Sequence, residues 1–194
     1  MQIDIKKAAA RISGQVLQTP LFYSKYLSAL NKGQVYLKLE SEQYTGSFKA
    51  RGALNKILGL SSSEKAKGLI TASTGNHAQG FARALEIANA EGTIFLPTNA
   101  EASKVEALKA YKVGLQFHGA DALTTELHAM KFAEASGQIW ISPYNDPEVI
   151  AGQGTLALEM TSQLDSIDAD LAPRSTCFPA VLPPSTGPHH RVQG

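Results

Sequence analysis

The stretch "GLITASTGNHAQGFARALEIANAEGTIFLP", residues 68–97, decides the fold class because it contains one complete strand–helix–strand unit. Residues 68–73 form a short apolar run that predicts a buried strand, and residues 76–90 have the spacing of a helix. A second apolar run at 93–97 predicts the next strand. Because strands joined through a helix pair in parallel, this stretch predicts an α/β fold built on a parallel sheet.

The same alternation continues on the C-terminal side of this stretch. Helical patterns over 103–112 and 121–136 alternate with apolar runs at 114–118 and 138–142. The links between these segments are short, as they are in sheets covered by helices. The sequence therefore predicts a small α/β subdomain over residues 65–145.

The flanking segments predict further helices and strands. On the C-terminal side, residues 146–164 resume a helical spacing that Gly152 and Gly154 are expected to break in the middle. On the N-terminal side, the patterns predict a helix at 4–13, an extended piece at 19–24, a helix capped by Ser24 at 25–30, a strand at 34–40, and a helix from a Ser47 cap to about Leu60.

The composition is that of an ordinary globular protein. Hydrophobic residues make up 43% of the 194 residues, charged residues 18%, and the net charge is +1. This near-neutral balance argues against a nucleic-acid-binding or membrane-surface protein. The single cysteine, Cys177, excludes an internal disulfide framework and a multi-cysteine metal site. The chain has no apolar run long enough to span a bilayer and no signal-peptide pattern, so we predict a cytoplasmic location.

The composition changes sharply after Asp170. Residues 171–194 contain no acidic residue and five of the nine prolines of the chain. We therefore predict that residues 173–194 form an irregular, proline-rich tail without helix or strand. The pair His189 and His190 is interpreted as incidental, and the sequence predicts no metal site.

The run "TASTGNHAQG", residues 71–80, joins the first predicted strand of the subdomain to its helix. Open α/β sheets bind ligands at the carboxyl ends of their strands, and N–H groups at a helix N-terminus attract carboxylates and phosphates. Ser73, Thr74, Gly75, Asn76 and His77 are therefore candidate ligand contacts. The alternative is an ordinary capped turn, with Asn76 acting only as the helix cap, and the spacing alone leaves both readings open. The run lacks the pattern of a P-loop or a dinucleotide fingerprint.

The run "EQYTGSFKARGALNKI", residues 42–57, places Lys49 in the predicted first turn of a helix, where the helix dipole disfavours a cation. The neighbouring Phe48 offers an apolar wall, which also disfavours the charged form and so lowers the pKa of the amine. A neutral lysine amine is a nucleophile able to form a Schiff base. The alternative is a surface lysine on an amphipathic helix.

Three motifs together resemble one enzyme family. The runs "TGSFKARGALN" (45–55), "STGNHAQG" (73–80) and "NDPEVIAGQGTLALE" (145–159) resemble the pyridoxal-phosphate (PLP) enzymes of fold type II. The resemblance covers about residues 5–170, and the nearest members are threonine and serine dehydratases and serine racemases. The run Ala50-Arg51-Gly52 after Lys49 is similar to this dehydratase–racemase branch.

The resemblance implies a tryptophan-synthase-β-like fold with three αβα layers and parallel sheets, in which the larger domain is incomplete. Residues 1–64 would be the N-terminal part of the large domain, 65–145 the small α/β subdomain, and 146–172 the start of the segment that returns to the large domain. The 173–194 tail has no counterpart in this scheme.

The resemblance also implies roles for individual residues. Lys49 would bind PLP covalently and later move the substrate Cα proton. Two residues would contact the cofactor: Phe48 would frame its ring, and Asn76 would bond its 3′-oxygen. The substrate carboxylate would be held by Ser73, Thr74, Gly75 and His77. The segment that closes the site would include Gly152 and Gln153.

The implied reaction is dehydration and deamination of a 3-hydroxy amino acid, L-threonine or L-serine, to a 2-oxo acid and ammonia. Thr74 keeps serine racemase activity as an alternative, because racemases of this group have a serine hydroxyl there and many dehydratases have alanine. Because of this alternative, Thr74 joins Lys49 as a candidate catalytic residue. Relatives of this kind commonly form homo-oligomers.

The resemblance ends at "APRSTCF", residues 172–178. The family has a glycine-rich loop for the PLP phosphate after this point, and no glycine cluster follows here. We therefore expect a truncated or frameshifted product with impaired activity. The alternative is a non-catalytic remnant that binds a partner or ligand.

Overall fold

The computed structural model describes residues 3–169 and a short strand at 180–182, and it contains two sheets. The larger is a four-stranded parallel sheet in the order β5-β4-β3-β6. All residues of its central strand β3 are buried, as expected for a parallel strand covered on both faces. Its strands are β3 (Leu69–Ala72), β4 (Gly92–Leu96), β5 (Gly114–Phe117) and β6 (Ile139–Trp140).

The smaller sheet is antiparallel and has the order β1-β2-β7. Its strands are β1 (Leu21–Tyr23), β2 (Tyr36–Lys38) and β7 (Ala180–Leu182). The helices are α1 (Ile5–Ile12), α2 (Lys25–Asn31), α3 (Lys49–Gly59), α4 (Ser62–Lys65), α5 (Asn76–Ala88), α6 (Ala102–Lys109), α7 (Ala122–Ser136) and α8 (Pro147–Gln163), with a 3-10 turn at Glu40–Glu42.

The parallel sheet is covered on both faces because successive strand residues point in opposite directions. Leu69 belongs to one buried cluster together with Phe81 of α5. The next residue, Ile70, belongs to a second cluster with Ala129 and Ala133 of α7. Because the strands are parallel, the carboxyl ends of β3, β4 and β6 lie at one edge of the sheet. Helices α5 and α8 begin at the same edge, after β3 and β6.

Helices α3 and α8 pack so closely that glycine is required where they meet. A Cβ atom on Gly152 would lie 2.6 Å from the Arg51 carbonyl oxygen and 2.6 Å from the Gly52 Cα. A Cβ on Gly52 would in turn lie 2.6 Å from the Val149 carbonyl oxygen. The predicted break of the 146–164 helix at Gly152 and Gly154 is therefore wrong: α8 is continuous, and Gly152 permits helix contact.

Two further predictions are corrected. Helix α3 begins at Lys49 with Phe48 in the N-cap position, although the Ser47 hydroxyl still accepts a hydrogen bond from the Lys49 N–H at 3.2 Å. The tail is predicted to lack strands, yet Ala180–Leu182 pairs with β2. Three apolar residues bounded by prolines are long enough to satisfy the open edge of β2.

The rest of the predicted tail, including His189 and His190, lies outside the described residues. Among residues 3–169, no helix is both long enough and apolar enough to cross a membrane. The domain bounds at 64/65, 145/146 and 172/173 stay predictions.

Four charged side chains form a buried cluster beside the α3–α8 contact. Arg51 bonds to Glu40 at 2.7 Å and to Glu159 at 2.5 Å, while Lys38 bonds to Glu159 at 2.8 Å and to the Thr19 carbonyl oxygen at 2.7 Å. Lys38 and Arg51 have no exposed side-chain surface. We call Lys38, Glu40, Arg51 and Glu159 the charged cluster. It ties β2 and the 3-10 turn to α3 and α8, and so fixes the helix that carries Lys49.

Candidate active site

Lys49 lies in the first turn of α3 with its amine half-buried. Its Nζ donates a hydrogen bond to the Pro143 carbonyl oxygen at 2.9 Å and lies 5.5 Å from the centre of the Phe48 ring. Burial lowers the pKa of Lys49 below its ordinary value. The alternative of an ordinary surface lysine does not fit this geometry, since the amine faces protein groups and its charged form is disfavoured.

The turn after β3 begins α5 without a side-chain cap. Gly75 occupies the N-cap position, and Asn76 is the first helical residue. The Gly75 N–H donates to the Ser73 hydroxyl at 3.3 Å. A Cβ atom on Gly75 would meet nothing within 4 Å, so space is open beside the turn. The alternative reading of Asn76 as the helix cap is wrong.

A cavity of about 410 Å³ brings Lys49 and this turn together. Its wall combines α3, the β3–α5 turn, α7 and the segment after β6. A cleft of about 710 Å³ at the C-terminal end of α5 is larger, but it contains none of the predicted site residues. The smaller cavity is lined by Lys49, Ala72, Ser73, Thr74, Gly75, Asn76, His77, Phe95, Pro97, Lys104, Ala122, Thr125, Glu126, Pro143 and Tyr144.

His77 is neutral, and its hydrogen bonds fix its tautomer. The Thr71 hydroxyl donates its proton to the Ile141 carbonyl oxygen at 2.8 Å, so the His77 Nε2–H has to donate to Thr71 across the 3.1 Å contact. The Nδ1 atom is buried, and no residue in the described part of the chain forms a hydrogen bond with it. Burial, together with the nearby Lys49 charge, lowers the pKa of His77 to about 3. Any bond from His77 to a carboxylate therefore has to come from its backbone N–H.

The segment Ser142–Asp146 forms the wall that holds the Lys49 amine. The Ser142 hydroxyl accepts hydrogen bonds from the N–H groups of Tyr144 at 3.4 Å and Asn145 at 3.0 Å. Asp146 caps α8 through the Glu148 N–H at 2.8 Å. The Pro143 carbonyl is thereby set in a turn with both ends anchored.

Sequence reasoning missed two side chains of this wall. The Tyr144 hydroxyl donates to the carboxylate of Glu126 on α7, and both residues line the cavity. Burial, followed by the bond to Glu126, raises the pKa of Tyr144 to about 12. The available signal was the run "SPYND" directly after β6, the strand beside β3 in the sheet.

Gln153 and Phe48 do not line the cavity. The Gln153 side-chain oxygen accepts the Gly52 N–H at 3.2 Å, so Gln153 joins α8 to α3. The Phe48 ring faces the Lys49 amine, with its centre 5.5 Å from Nζ. The structure thus brings together Lys49 and residues 73–77, and assigns Gly152 and Gln153 to helix packing.

A comparison with known families gives this geometry a context. The family profile described as "Pyridoxal-phosphate dependent enzyme" matches residues 12–178. The chain belongs to this family. The match confirms the predicted resemblance, and the cofactor of this family is PLP.

Individual members of the PLP-dependent family support the fold. The catabolic L-threonine dehydratase of Escherichia coli K12 is 40% identical over 170 residues, which are 88% of this chain and 52% of that protein. Maize serine racemase is 36% identical with a TM-score of 0.80, over 84% of this chain and 50% of that one. The tomato (Solanum lycopersicum) threonine deaminase isoform 2 is 36% identical with a TM-score of 0.78, over 84% and 46%. The fold class is confirmed, and the chain spans about half the length of the curated relatives it matches.

Proposed function

We propose that the protein is a PLP-dependent ammonia-lyase that dehydrates and deaminates L-threonine or L-serine to a 2-oxo acid and ammonia. The observation that carries this proposal is a desolvated lysine amine in the same cavity as an uncapped helix N-terminus. The similarity to proteins named threonine dehydratase and threonine deaminase supports the choice of reaction.

Lys49 fits the role of the residue that binds PLP covalently and moves the Cα proton. A covalent bond to PLP would require the neutral, nucleophilic form of the amine, and burial raises the neutral fraction of Lys49 at a given pH. A general base works best when its pKa lies near the working pH, and the same shift brings Lys49 closer to that condition. The Pro143 carbonyl, 2.9 Å from Nζ, orients the amine and its lone pair.

In the cavity we assign residues to the ring of PLP and none to its phosphate. When bound, PLP supplies an electron sink for the electron pair that remains at the substrate Cα after proton removal. We propose that Asn76 bonds the 3′-oxygen of the cofactor and that Phe48 supports the position of Lys49 from behind. A volume of about 410 Å³ is in the range of pockets that hold a small ligand.

The turn at Ser73–Gly75 fits the role of a carboxylate site. The positive end of the α5 dipole and the backbone N–H groups of its first turn favour an anion. Because the His77 ring is neutral and already donates to Thr71, it adds no second donor for the carboxylate. We propose that Ser73, Thr74 and Gly75 hold the substrate carboxylate while Lys49 takes the Cα proton.

Trapping the Lys49–PLP bond tests the proposal. The purified chain is mixed with PLP, its absorbance recorded, and the adduct reduced with borohydride and mapped by mass spectrometry. We expect the pyridoxyl group on Lys49 and none on Lys104, a lysine that lines the same cavity. Release of 2-oxo acid from L-threonine and L-serine is then assayed. Absence of label on Lys49 would contradict the catalytic role and favour a non-catalytic binding protein.

Serine racemase activity is a second candidate, and Thr74 is the observation that favours it. Thr74 lines the cavity, and its side chain carries the hydroxyl that a proton donor for a second face of the substrate would need. A Thr74→Ala variant separates the two reactions, because it is expected to lose D-serine formation and to keep elimination. If the unaltered protein forms no D-isomer, racemisation is ruled out. A cytoplasmic location and a homo-oligomeric assembly stay predictions.

A further inference from the structure

The cavity wall contains a contact that neither the cofactor nor the substrate requires. Tyr144, in the segment after β6, donates its hydroxyl proton to both carboxylate oxygens of Glu126 on α7. The two residues lie 18 positions apart and belong to different elements. We call this contact the Tyr144–Glu126 clasp.

The clasp is one residue away from the group that holds the Lys49 amine. Pro143 accepts the hydrogen bond from Lys49 Nζ at 2.9 Å, and Tyr144 follows it directly in the chain. Ser142 fixes the other side of the same peptide through its bonds to the N–H groups of Tyr144 and Asn145. The Tyr144 N–H and the Pro143 carbonyl belong to one peptide group, so a movement of the Tyr144 backbone away from α7 moves the Pro143 carbonyl.

We infer that Tyr144 and Glu126 are positioning residues, whose hydrogen bond holds the Pro143 carbonyl against Lys49 and keeps water away from its amine. Neither residue is assigned contact with the reacting atoms. A hydrogen bond from a hydroxyl to a carboxylate is stronger than one between neutral groups, which suits a contact at a partly exposed rim. Tyr144 is half exposed, so the clasp lies where the cavity meets solvent.

The protonation states of the clasp support this role. The raised pKa of Tyr144, about 12, keeps its hydroxyl protonated and able to donate throughout the neutral range. The other titratable side chains that line the cavity are His77 and Lys104. His77 stays neutral there, and Lys104 is bonded to Glu101 at 2.8 Å. A change in the reactivity of Lys49 therefore reports the loss of the clasp and not a change in the charge of His77 or Lys104.

The inference rests on the proposed role of Lys49, but its test needs no PLP. The full chain without cofactor is reductively methylated with formaldehyde and cyanoborohydride over the neutral to alkaline range, and the modification of Lys49 is quantified by mass spectrometry. The variants are Tyr144→Phe, which removes one hydroxyl, and Glu126→Leu, which removes the acceptor. Glu126→Gln retains an acceptor oxygen, and Tyr26→Phe alters an exposed tyrosine far from α7 in sequence.

Loss of the clasp is expected to let water reach Nζ and so raise the pKa of Lys49 toward its ordinary value. Tyr144→Phe and Glu126→Leu should then each reduce methylation of Lys49 at neutral pH by about threefold, corresponding to about half a pKa unit. The double variant should show no further loss, because both changes break the same contact. Tyr26→Phe should react like the unaltered chain, and Glu126→Gln, whose amide oxygen accepts a weaker hydrogen bond, should show a smaller loss than Glu126→Leu.

The inference is overturned if Tyr144→Phe, with an unchanged circular dichroism spectrum, is methylated at Lys49 like Tyr26→Phe. Should Glu126→Leu fail to fold, Tyr144→Phe alone decides, since it preserves the ring. Clasp-dependent methylation in a chain that releases no 2-oxo acid would contradict the proposed function and leave this inference intact. If the chain releases 2-oxo acid but methylation of Lys49 does not depend on the clasp, the inference is contradicted and the proposed function is retained.

Discussion

The fully buried Lys38 and the half-buried Lys49 have contrasting surroundings. Lys38, on β2, bonds to the Glu159 carboxylate and to the Gln163 side chain, both at 2.8 Å. Lys49, on α3, bonds to one neutral carbonyl, that of Pro143. Burial lowers the pKa of both amines, but at Lys38 the bond to Glu159 opposes the shift.

The difference separates a structural cation from a reactive amine. In the charged cluster every buried charge has an opposite charge beside it, so the cluster holds helices together. Among the described residues, Lys49 has no carboxylate partner and His77 Nδ1 has no hydrogen-bond partner. Perturbed groups without compensation are typical of functional sites, and burial alone does not distinguish the two regions.

Removing the reactive amine is expected to have the largest effect. Lys49→Ala should abolish PLP attachment and reduce 2-oxo acid release by at least about 10²–10⁴-fold, the usual contribution of a positioned acid–base group. Because the amine is held at the expense of its hydration, the free energy of unfolding should not decrease. Borohydride trapping and urea unfolding measure the two quantities. Lys104→Ala is the matched control, and its activity should stay close to that of the unaltered chain.

Breaking the charged cluster is expected to affect stability instead. Arg51→Met leaves Glu40 without a charged partner and Glu159 with Lys38 alone, which should lower the free energy of unfolding by about 3–5 kcal/mol. Urea unfolding monitored by circular dichroism provides the measurement. Arg83→Met is the control, because Arg83 is half-buried and lies over the Tyr44 ring at 4.2 Å, a contact that contributes about 1 kcal/mol or less. If Arg51→Met and Arg83→Met lower the free energy of unfolding equally, the structural role of Arg51 is contradicted.

The neutral His77 gives the cavity a pH dependence that begins near pH 6.5, above the range in which Glu159 of the charged cluster takes up a proton. Its pKa falls from 6.5 in the unfolded chain to about 3 in the folded one, so the unfolded state binds more protons between these values. Stability from this group is present above 6.5 and is lost as the pH falls, by about 1.4 kcal/mol per pH unit. His77→Gln should remove that slope. Unfolding curves compared between pH 6.5 and mildly acidic pH provide the test, and equal slopes would show that His77 is protonated when folded.

Residue patterns predict the sheet and the centre of the site, but not the contacts that join distant segments. The alternation of apolar runs and helices locates the parallel sheet, and Lys49 and the turn at 73–77 are recognisable from local sequence. The acceptor of Lys49 is a backbone carbonyl 94 residues away, which no residue type reveals. Lys38 and Arg51 are charged, so a sequence pattern places them at the surface, whereas pairing allows full burial.

The close packing of α3 on α8 is the next contact to alter, with a smaller expected effect. Gly152→Ala forces a methyl group against the backbone of Arg51 and Gly52, 2.6 Å away. Such overpacking should lower the free energy of unfolding by about 1–3 kcal/mol, and it should also displace the charged cluster. Gly33→Ala is the control, since its Cβ would meet only the Asn31 carbonyl oxygen at 3.8 Å. Equal stability of the two variants would mean that the helices separate without cost.

The ion pair between Lys56 and Asp146 lies between the two regions and is expected to have the smallest effect. It joins α3 to the segment that carries Pro143, with an Nζ–Oδ2 distance of 2.7 Å. Both side chains keep some exposed surface, so water stabilises each charge when the other is removed, and Lys56→Met should lower the free energy of unfolding by about 1 kcal/mol or less. Added salt should reduce this difference further by screening the pair. A loss as large as that of Arg51→Met would show that pairing across α3 stabilises both regions equally, and would remove the distinction between the charged cluster and the cavity.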